Sequence, residues 1–256
     1  MLALLAEHRA LAESQVQFAL GVSARAAADR LRALDRHGLV CHQRIFEGLP
    51  ATVSITRRGL DAIGSGLPVP HLDLKGYRHD VGVGWLWLAA QDGAFGPTAR
   101  VWSERAMRSF DLRPDRDGPP FGVGTGLRGP GGGEQLHYPD LLVSLSDGVR
   151  VAIELELSAK SRRRLDRIML GYASDSRTDI VLYLVPTGPL GRRIEDAARR
   201  AGIADAVHVQ QLAPGSPEGC DPGSLRQRER ERERERDVVR GRGGRDAAAQ
   251  LGGAGR

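Results

Sequence analysis

A chain of 256 residues, 41% of them hydrophobic, allows one large or two modest domains. The formal net charge of +5 leans toward an acidic partner such as nucleic acid, and nearly all of the positive charge is arginine, Lys75 and Lys160 being the lysines. The longest apolar run, Val81 to Ala90, is too short to span a bilayer, and the first residues carry no basic leader, so neither a membrane span nor a signal peptide is expected.

Cys41 and Cys220 lie far apart and form no metal or disulfide pattern, which fits a reducing cytoplasm. No internal repeat is visible.

The first 64 residues read as a small DNA-binding unit. Residues 2–8 form a short helix and Ala12 to Leu20 a second. Gly21-Val22-Ser23 is a tight turn with Ser23 as helix cap, and a third helix runs from Ala24 to His37 and stops at Gly38. Ala27, Leu31 and Leu34 form its apolar face. Arg25, Asp29, Arg32 and Arg36 fall on another face, as expected of a helix presented to a major groove. Leu39 to Ile45 and Ala51 to Ile55 read as a hairpin, followed by a closing helix from Thr56. The expected phosphate or groove contacts are Arg25, Arg32, Arg36, Arg44 and Arg57. The competing reading is a helical interaction unit whose arginines only solvate it. This stretch resembles the winged helix-turn-helix domains of bacterial regulators, which implies duplex DNA as partner.

Residues 65–71 are linker-like in their Gly and Pro content. A second domain is expected over 72–212. Its helix 74–91 carries His79-Asp80, where a lone histidine is more often structural than a ligand. Thr98 to Trp102 reads as a strand, and Glu104 just after it either joins an acidic site or pairs locally. Asp111 to Glu134, rich in Gly and Pro, reads as a long loop. Its Gly122-Val-Gly124-Thr-Gly126 lacks the Gly-Lys-Ser/Thr ending of a phosphate loop.

Next comes a hairpin. Asp147-Gly148 separates two alternating runs, Asp140 to Leu145 and Val149 to Ser158. Val149, Val151, Ile153, Leu155 and Leu157 fall on one face and Arg150, Ala152, Glu154, Glu156 and Ser158 on the other. The pairing brings Asp140 toward Glu154 and Glu156, with Lys160 just beyond. Carboxylates about 4 Å apart repel by roughly 4 kcal/mol at an effective dielectric near 20, so three of them call for a cation, a basic partner or a raised pKa. Mg²⁺ or Mn²⁺ held by Asp140 and Glu154 would satisfy them and activate water. The plainer reading is a solvated sheet face paired with arginines, the default for an antiparallel hairpin.

A helix capped by Ser161 follows, with Leu165, Ile168, Met169 and Tyr172 as its apolar face. Arg162, Arg163, Arg164 and Arg167 crowd its start, where cations are unfavourable unless an anion is near. Asp179 to Val185 reads as a strand, Arg192 to Ala201 as a helix and Ala206 to Leu212 as a strand. The class is α/β with a mixed sheet, preceded by the α+β unit. Residues 213–256 are low in complexity, with strict Arg/Glu alternation over Arg228 to Glu235, and read as disordered or marginally helical.

Pro139-Asp140 with Glu154 resembles the PD-(D/E)xK nuclease superfamily, and the order of elements is similar to its restriction-endonuclease-like core. Glu156 stands where that family usually has lysine. The resemblance implies metal at Asp140 and Glu154, Glu156 as a further ligand or base, and Lys160 stabilising charge on the phosphate. Over residues 1–212, the initial unit together with Trp102-Ser-Glu-Arg-Ala-Met-Arg108, His137-Tyr-Pro-Asp140, Ile153 to Ser161 and Val181-Leu-Tyr-Leu-Val-Pro186 looks like the replication-relaxation family of bacterial plasmids and mobile elements. It implies a cytoplasmic DNA-binding protein of replication and DNA relaxation, partnered by duplex DNA and by a second copy or other replication proteins. The alternative is a non-enzymatic transcription regulator or replication initiator with an inactive nuclease-like domain.

Overall fold

The computed structural model describes residues 1–129 and 132–212. The Arg/Glu-rich stretch lies outside the described residues.

The chain begins with α1 (Leu2–Glu7), a two-residue strand β1 (Leu11–Ala12), α2 (Glu13–Leu20) and α3 (Ala24–Arg36). Then come β2 (Val40–Gln43), β3 (Thr52–Ile55) and α4 (Arg57–Ala62). The strands form an antiparallel sheet in the order β1-β3-β2. Local chemistry sets these limits. Gly21 takes φ 59 at the end of α2. Ser23 caps α3 by accepting the Ala26 N–H, and Thr56 caps α4 by accepting the Gly59 N–H. A Cβ on Gly59 would lie 2.1 Å from the Leu39 carbonyl oxygen, so this close crossing requires glycine. Leu5, Leu11, Val16, Leu31, Val53, Ile55 and Leu60 form the core, and each fully buried Leu, Ile or Val contributes about 1.5–3 kcal/mol.

After a 3-10 turn at Leu74–Gly76, α5 (Tyr77–Gln91) leads to β4 (Thr98–Ser103) and α6 (Glu104–Asp111). β5 (Val123–Arg128) and β6 (Glu134–His137) form a separate antiparallel pair. β7 (Leu141–Leu145) and β8 (Arg150–Leu155) form the expected hairpin, closed by Gly148 at φ 93. α7 (Arg162–Ala173), β9 (Ile180–Val185), α8 (Gly188–Ala201) and β10 (Val207–Gln211) complete the described chain.

The large sheet has five strands in the order β10-β9-β8-β7-β4. β4, β7 and β8 are antiparallel neighbours, whereas β8, β9 and β10 run parallel. Leu141, Val143, Val151, Ile153 and Leu155 pack toward α5 residues such as Trp85, Leu86 and Ala89. Leu142, Ala152, Val181 and Tyr183 pack against α7 and α8 through Ile168, Met169, Tyr172 and Ile194. Both faces are therefore covered, as parallel strands with helical crossovers require. Gly82 and Gly84 suit α5 to close packing: a Cβ at either would lie 2.5 Å from a side chain, Leu155 Cδ2 or Leu11 Cδ2.

The structure corrects three expectations. The Asp111 to Glu134 loop contains β5, whose glycines sit in a strand rather than in a flexible loop. β5 rests on α7 where Gly171 leaves no side chain in the way. α8 begins at Gly188, four residues before Arg192, because Pro189 fits a first helical turn. Leu157 is 37% exposed, since β8 ends at Leu155.

Candidate functional site

The β7–β8 pairing matches Leu141 with Ile153, which sets Asp140 across from Glu154 at the open end of the hairpin. β7 begins only at Leu141, and ahead of it the Asp140 side chain extends the ladder: its Oδ2 accepts the Leu155 N–H at 2.7 Å. Glu154 and Glu156 are 3% and 5% exposed. The solvated-face reading of these two acids is thereby overturned, because α7 and α8 cover the face that the simple hairpin pattern leaves to water.

Each acid meets its own partner. Glu154 Oε1 lies 2.6 Å from His137 Nε2 and accepts the Tyr172 hydroxyl at 2.6 Å. Glu156 accepts from Lys160, four residues further along in the segment between β8 and α7. Asp140 Oδ2 is 3.1 Å from His79 Nε2. Burial alone would raise the Glu154 carboxyl, but the charges and hydrogen bonds of His137, Lys160 and Tyr172 outweigh it and hold the pKa low. Burial dominates at Glu156, where the nearby charges of Glu154 and Asp140 add to it against Lys160, and the pKa rises. Burial also works against a charged His79, yet its bonds to Asp140 and Asp80 lift its pKa to about 10. Tyr183 sits opposite Glu154 on β9, fully buried, with a hydroxyl that finds no partner among the described residues.

Beside Asp140 opens a small cleft of about 30 Å³, lined among others by Arg9, His79, Asp80, Glu104 and Arg105. Glu104 does not join the three acids directly. It pairs with Arg9 at 2.8 Å and with Arg108 at 2.8 Å.

Among the described residues no three His, Cys, Asp or Glu side chains are grouped so as to hold a metal ion by themselves. The hydrogen bonds fall on Asp140 Oδ2 and Glu154 Oε1, which leaves the second oxygen of each carboxylate outside them. Two hard oxygen donors suit Mg²⁺, which is commonly held by one or two carboxylates together with substrate phosphate.

Arg25, Arg32 and Arg36 are exposed on α3, Arg44 just after β2 and Arg57 at the start of α4. Arg32 pairs with Asp29 at 2.5 Å and Arg57 with Asp61 at 4.0 Å. Such exposed pairs contribute about 0–1 kcal/mol and are readily exchanged for phosphate. Around Lys160, Arg162, Arg163 and Arg164 are exposed at the start of α7, and Arg193 of α8 donates to the Lys160 carbonyl at 3.2 Å.

Sequence reasoning placed none of His79, His137 and Tyr172 in the site: it reads His79 as structural, Tyr172 as part of an apolar helix face and His137 only within a family-like motif. A cue for His137 was its place three residues before Asp140. Tyr172 belonged to an apolar helix face whose hydroxyl could signal a polar partner. For His79 no local cue exists, since its partner lies 61 residues away.

No protein-family model matches this chain, and no curated protein or solved structure matches it.

Proposed function

We propose that this chain is a duplex-DNA-binding protein of plasmid or mobile-element replication and DNA relaxation, of the replication-relaxation kind, with a metal-dependent DNA-nicking site. In this reading α1 to α4 form a winged helix-turn-helix, with α3 as the recognition helix and β2–β3 as the wing. The order of elements and the exposed Arg25, Arg32 and Arg36 support it. The five-stranded sheet then corresponds to a PD-(D/E)xK nuclease-like core.

The observation that carries the nicking reading is the burial of Glu154 and Glu156 beside Asp140 at the open end of the hairpin. Buried carboxylates persist only when paired or put to use, and shifted carboxyl groups gather at functional sites. Asp140 and Glu154 would hold Mg²⁺ or Mn²⁺ through their remaining oxygens, and such an ion supplies Lewis acidity and lowers the pKa of bound water. Glu156 serves as further ligand or base. Lys160, with its side chain 20% exposed, stabilises charge on the phosphate. The arginines at the start of α7 supply a positive approach for the DNA backbone.

A second reading has its own support. Each acid already faces an internal partner, so the cluster stands without a metal. That favours a non-enzymatic transcription regulator or replication initiator, its nuclease-like part used for assembly.

The deciding experiment incubates supercoiled plasmid with wild type, Glu154→Gln and Asp140→Asn, in Mg²⁺, Mn²⁺ or chelator. Metal-dependent nicking lost in both variants, with DNA retardation kept, is the expected result. Retardation without nicking in any metal would favour the regulator, and unchanged nicking in both variants would remove the site from these residues.

A further inference from the structure

Where the end of α1 meets α5, a line of polar contacts runs from the N-terminal helices to the carboxylate cluster. Arg9 Nη1 is 3.3 Å from Asp80 Oδ1, and Asp80 Oδ1 is 3.8 Å from His79 Nδ1. His79 Nε2 is 3.1 Å from Asp140 Oδ2, the oxygen that accepts the Leu155 N–H at 2.7 Å. The second Arg9 nitrogen anchors on Glu104, at the β4–α6 junction. Arg9 thus belongs to the N-terminal segment but grips two acids of the sheet unit.

Burial separates this line from an ordinary surface ion pair. The acids are the buried members: the side chains of Asp80 and Asp140 are 7% and 13% exposed, whereas those of Arg9 and His79 are 36% and 31% exposed. A buried acid that loses one partner leans harder on the next. If Arg9 leaves, Asp80 keeps His79 as its partner, and His79 is then drawn between Asp80 and Asp140. Three residues that line the cleft also carry buried polar atoms without partners among the described residues: His8 Nε2, Asp80 Oδ2 and Arg105 Nε. Their residues are 4%, 8% and 9% exposed.

We propose that Arg9, Asp80 and His79 are positioning residues for Asp140, so that the geometry of the carboxylate cluster depends on how the N-terminal helices are seated. The catalytic part of this inference rests on reading the cluster as a metal-dependent phosphodiester site. His79 and the Leu155 amide together fix one orientation of the Asp140 carboxylate. A DNA-induced shift of α1 reaches that carboxylate through Arg9, without passing through the hairpin's own ladder. The residues touch neither metal nor substrate and act through Asp140 alone.

The test uses the full chain as wild type, Arg9→Gln, Arg9→Lys and His79→Ala, with two readouts. The first is amide hydrogen exchange at Leu155. The Glu156 amide, bonded to the Leu184 carbonyl, and the Val181 amide, bonded to the Ala206 carbonyl, serve as controls. Leu155 exchange is expected to rise about tenfold or more in Arg9→Gln and His79→Ala, with the controls within about twofold and protection kept in Arg9→Lys. The second is plasmid nicking in Mn²⁺, where kcat is expected to fall about 10–100-fold with the DNA KM unchanged. Unaltered Leu155 exchange, or an equal rise at all three amides, overturns the proposal even if nicking is intact. A selective Leu155 response with no nicking by the wild type supports the coupling and defeats the nuclease reading.

Discussion

The carboxylate of Asp140 accepts the backbone N–H of Leu155 at 2.7 Å, so one rung of the β7–β8 ladder is made by a side chain. Asp140→Ala leaves that amide, and the Nε2 of His79, without an acceptor. It is expected to lower the unfolding free energy by about 1–3 kcal/mol, and Asp140→Asn, which retains an acceptor oxygen, by less. Urea denaturation of both variants checks this. Equal losses would show that the Leu155 bond contributes nothing.

Glu154 is the most enclosed member of the cluster and holds both His137 and Tyr172. Glu154→Ala strands both and is expected to cost about 3–5 kcal/mol, since removing one partner of a buried pair leaves the other uncompensated. Glu154→Gln keeps an acceptor for Tyr172 and is the milder change. Guanidinium melts separate the two, and an Ala variant as stable as the Gln variant would contradict the assignment.

Gly171 faces the β5 backbone from inside α7. A Cβ there would lie 2.4 Å from the Gly124 carbonyl oxygen. Helix propensity favours Ala over Gly by about 1 kcal/mol, but overpacking against backbone costs about 1–3 kcal/mol, so the clash wins. Gly171→Ala should lower the melting temperature and speed amide exchange over Val123–Arg128. A stabilised variant would mean that β5 does not rest on α7.

His8 packs edge-on against Trp87, and burial, helped by Arg105, holds its pKa down to about 3. Above the ordinary value of 6.5 the imidazole is neutral whether the chain is folded or not. Below it the unfolded chain takes up a proton that the folded chain refuses until about pH 3. Stability therefore falls with acid through this window, by up to about 1.4 kcal/mol per pH unit. His8→Gln should flatten that part of the stability–pH curve. Parallel curves for the two proteins between neutral pH and pH 4 would refute it.

If Arg25 and Arg36 meet phosphates, each Ala substitution should weaken binding to all duplexes alike and reduce the slope of log affinity against log salt by about 0.9. Arg199, exposed on α8 and paired with Asp196, is the control. Equal effects at Arg199 and Arg25 would show that the attraction is diffuse rather than seated on α3.

The α3 stop at Gly38, the Asp-Gly hairpin and the apolar strand ending at Val185 were all readable, because caps, turns and apolar runs act locally. β5 was not, since glycines give no alternating pattern and the strand owes its place to β6 and to Gly171 across the gap. The burial of Glu154 was equally hidden. Period two assigns a residue to a face but cannot say that a later helix will cover that face. The acids were legible as a group, whereas three of their partners, on α5, β6 and α7, were not.

The sequence separations within the cluster have a kinetic consequence. Lys160–Glu156 spans 4 residues, Asp140–Leu155 15, His137–Glu154 17 and Tyr172–Glu154 18, whereas His79–Asp140 spans 61. Short loops close first because their entropy of closure is smaller. A folding chain can therefore neutralise Glu154 and Glu156 within the stretch from β6 to α7, before α5 docks. Asp140 acquires its histidine in the later, long-range step, so the last contact expected in building the cluster is the one that ties it to α5.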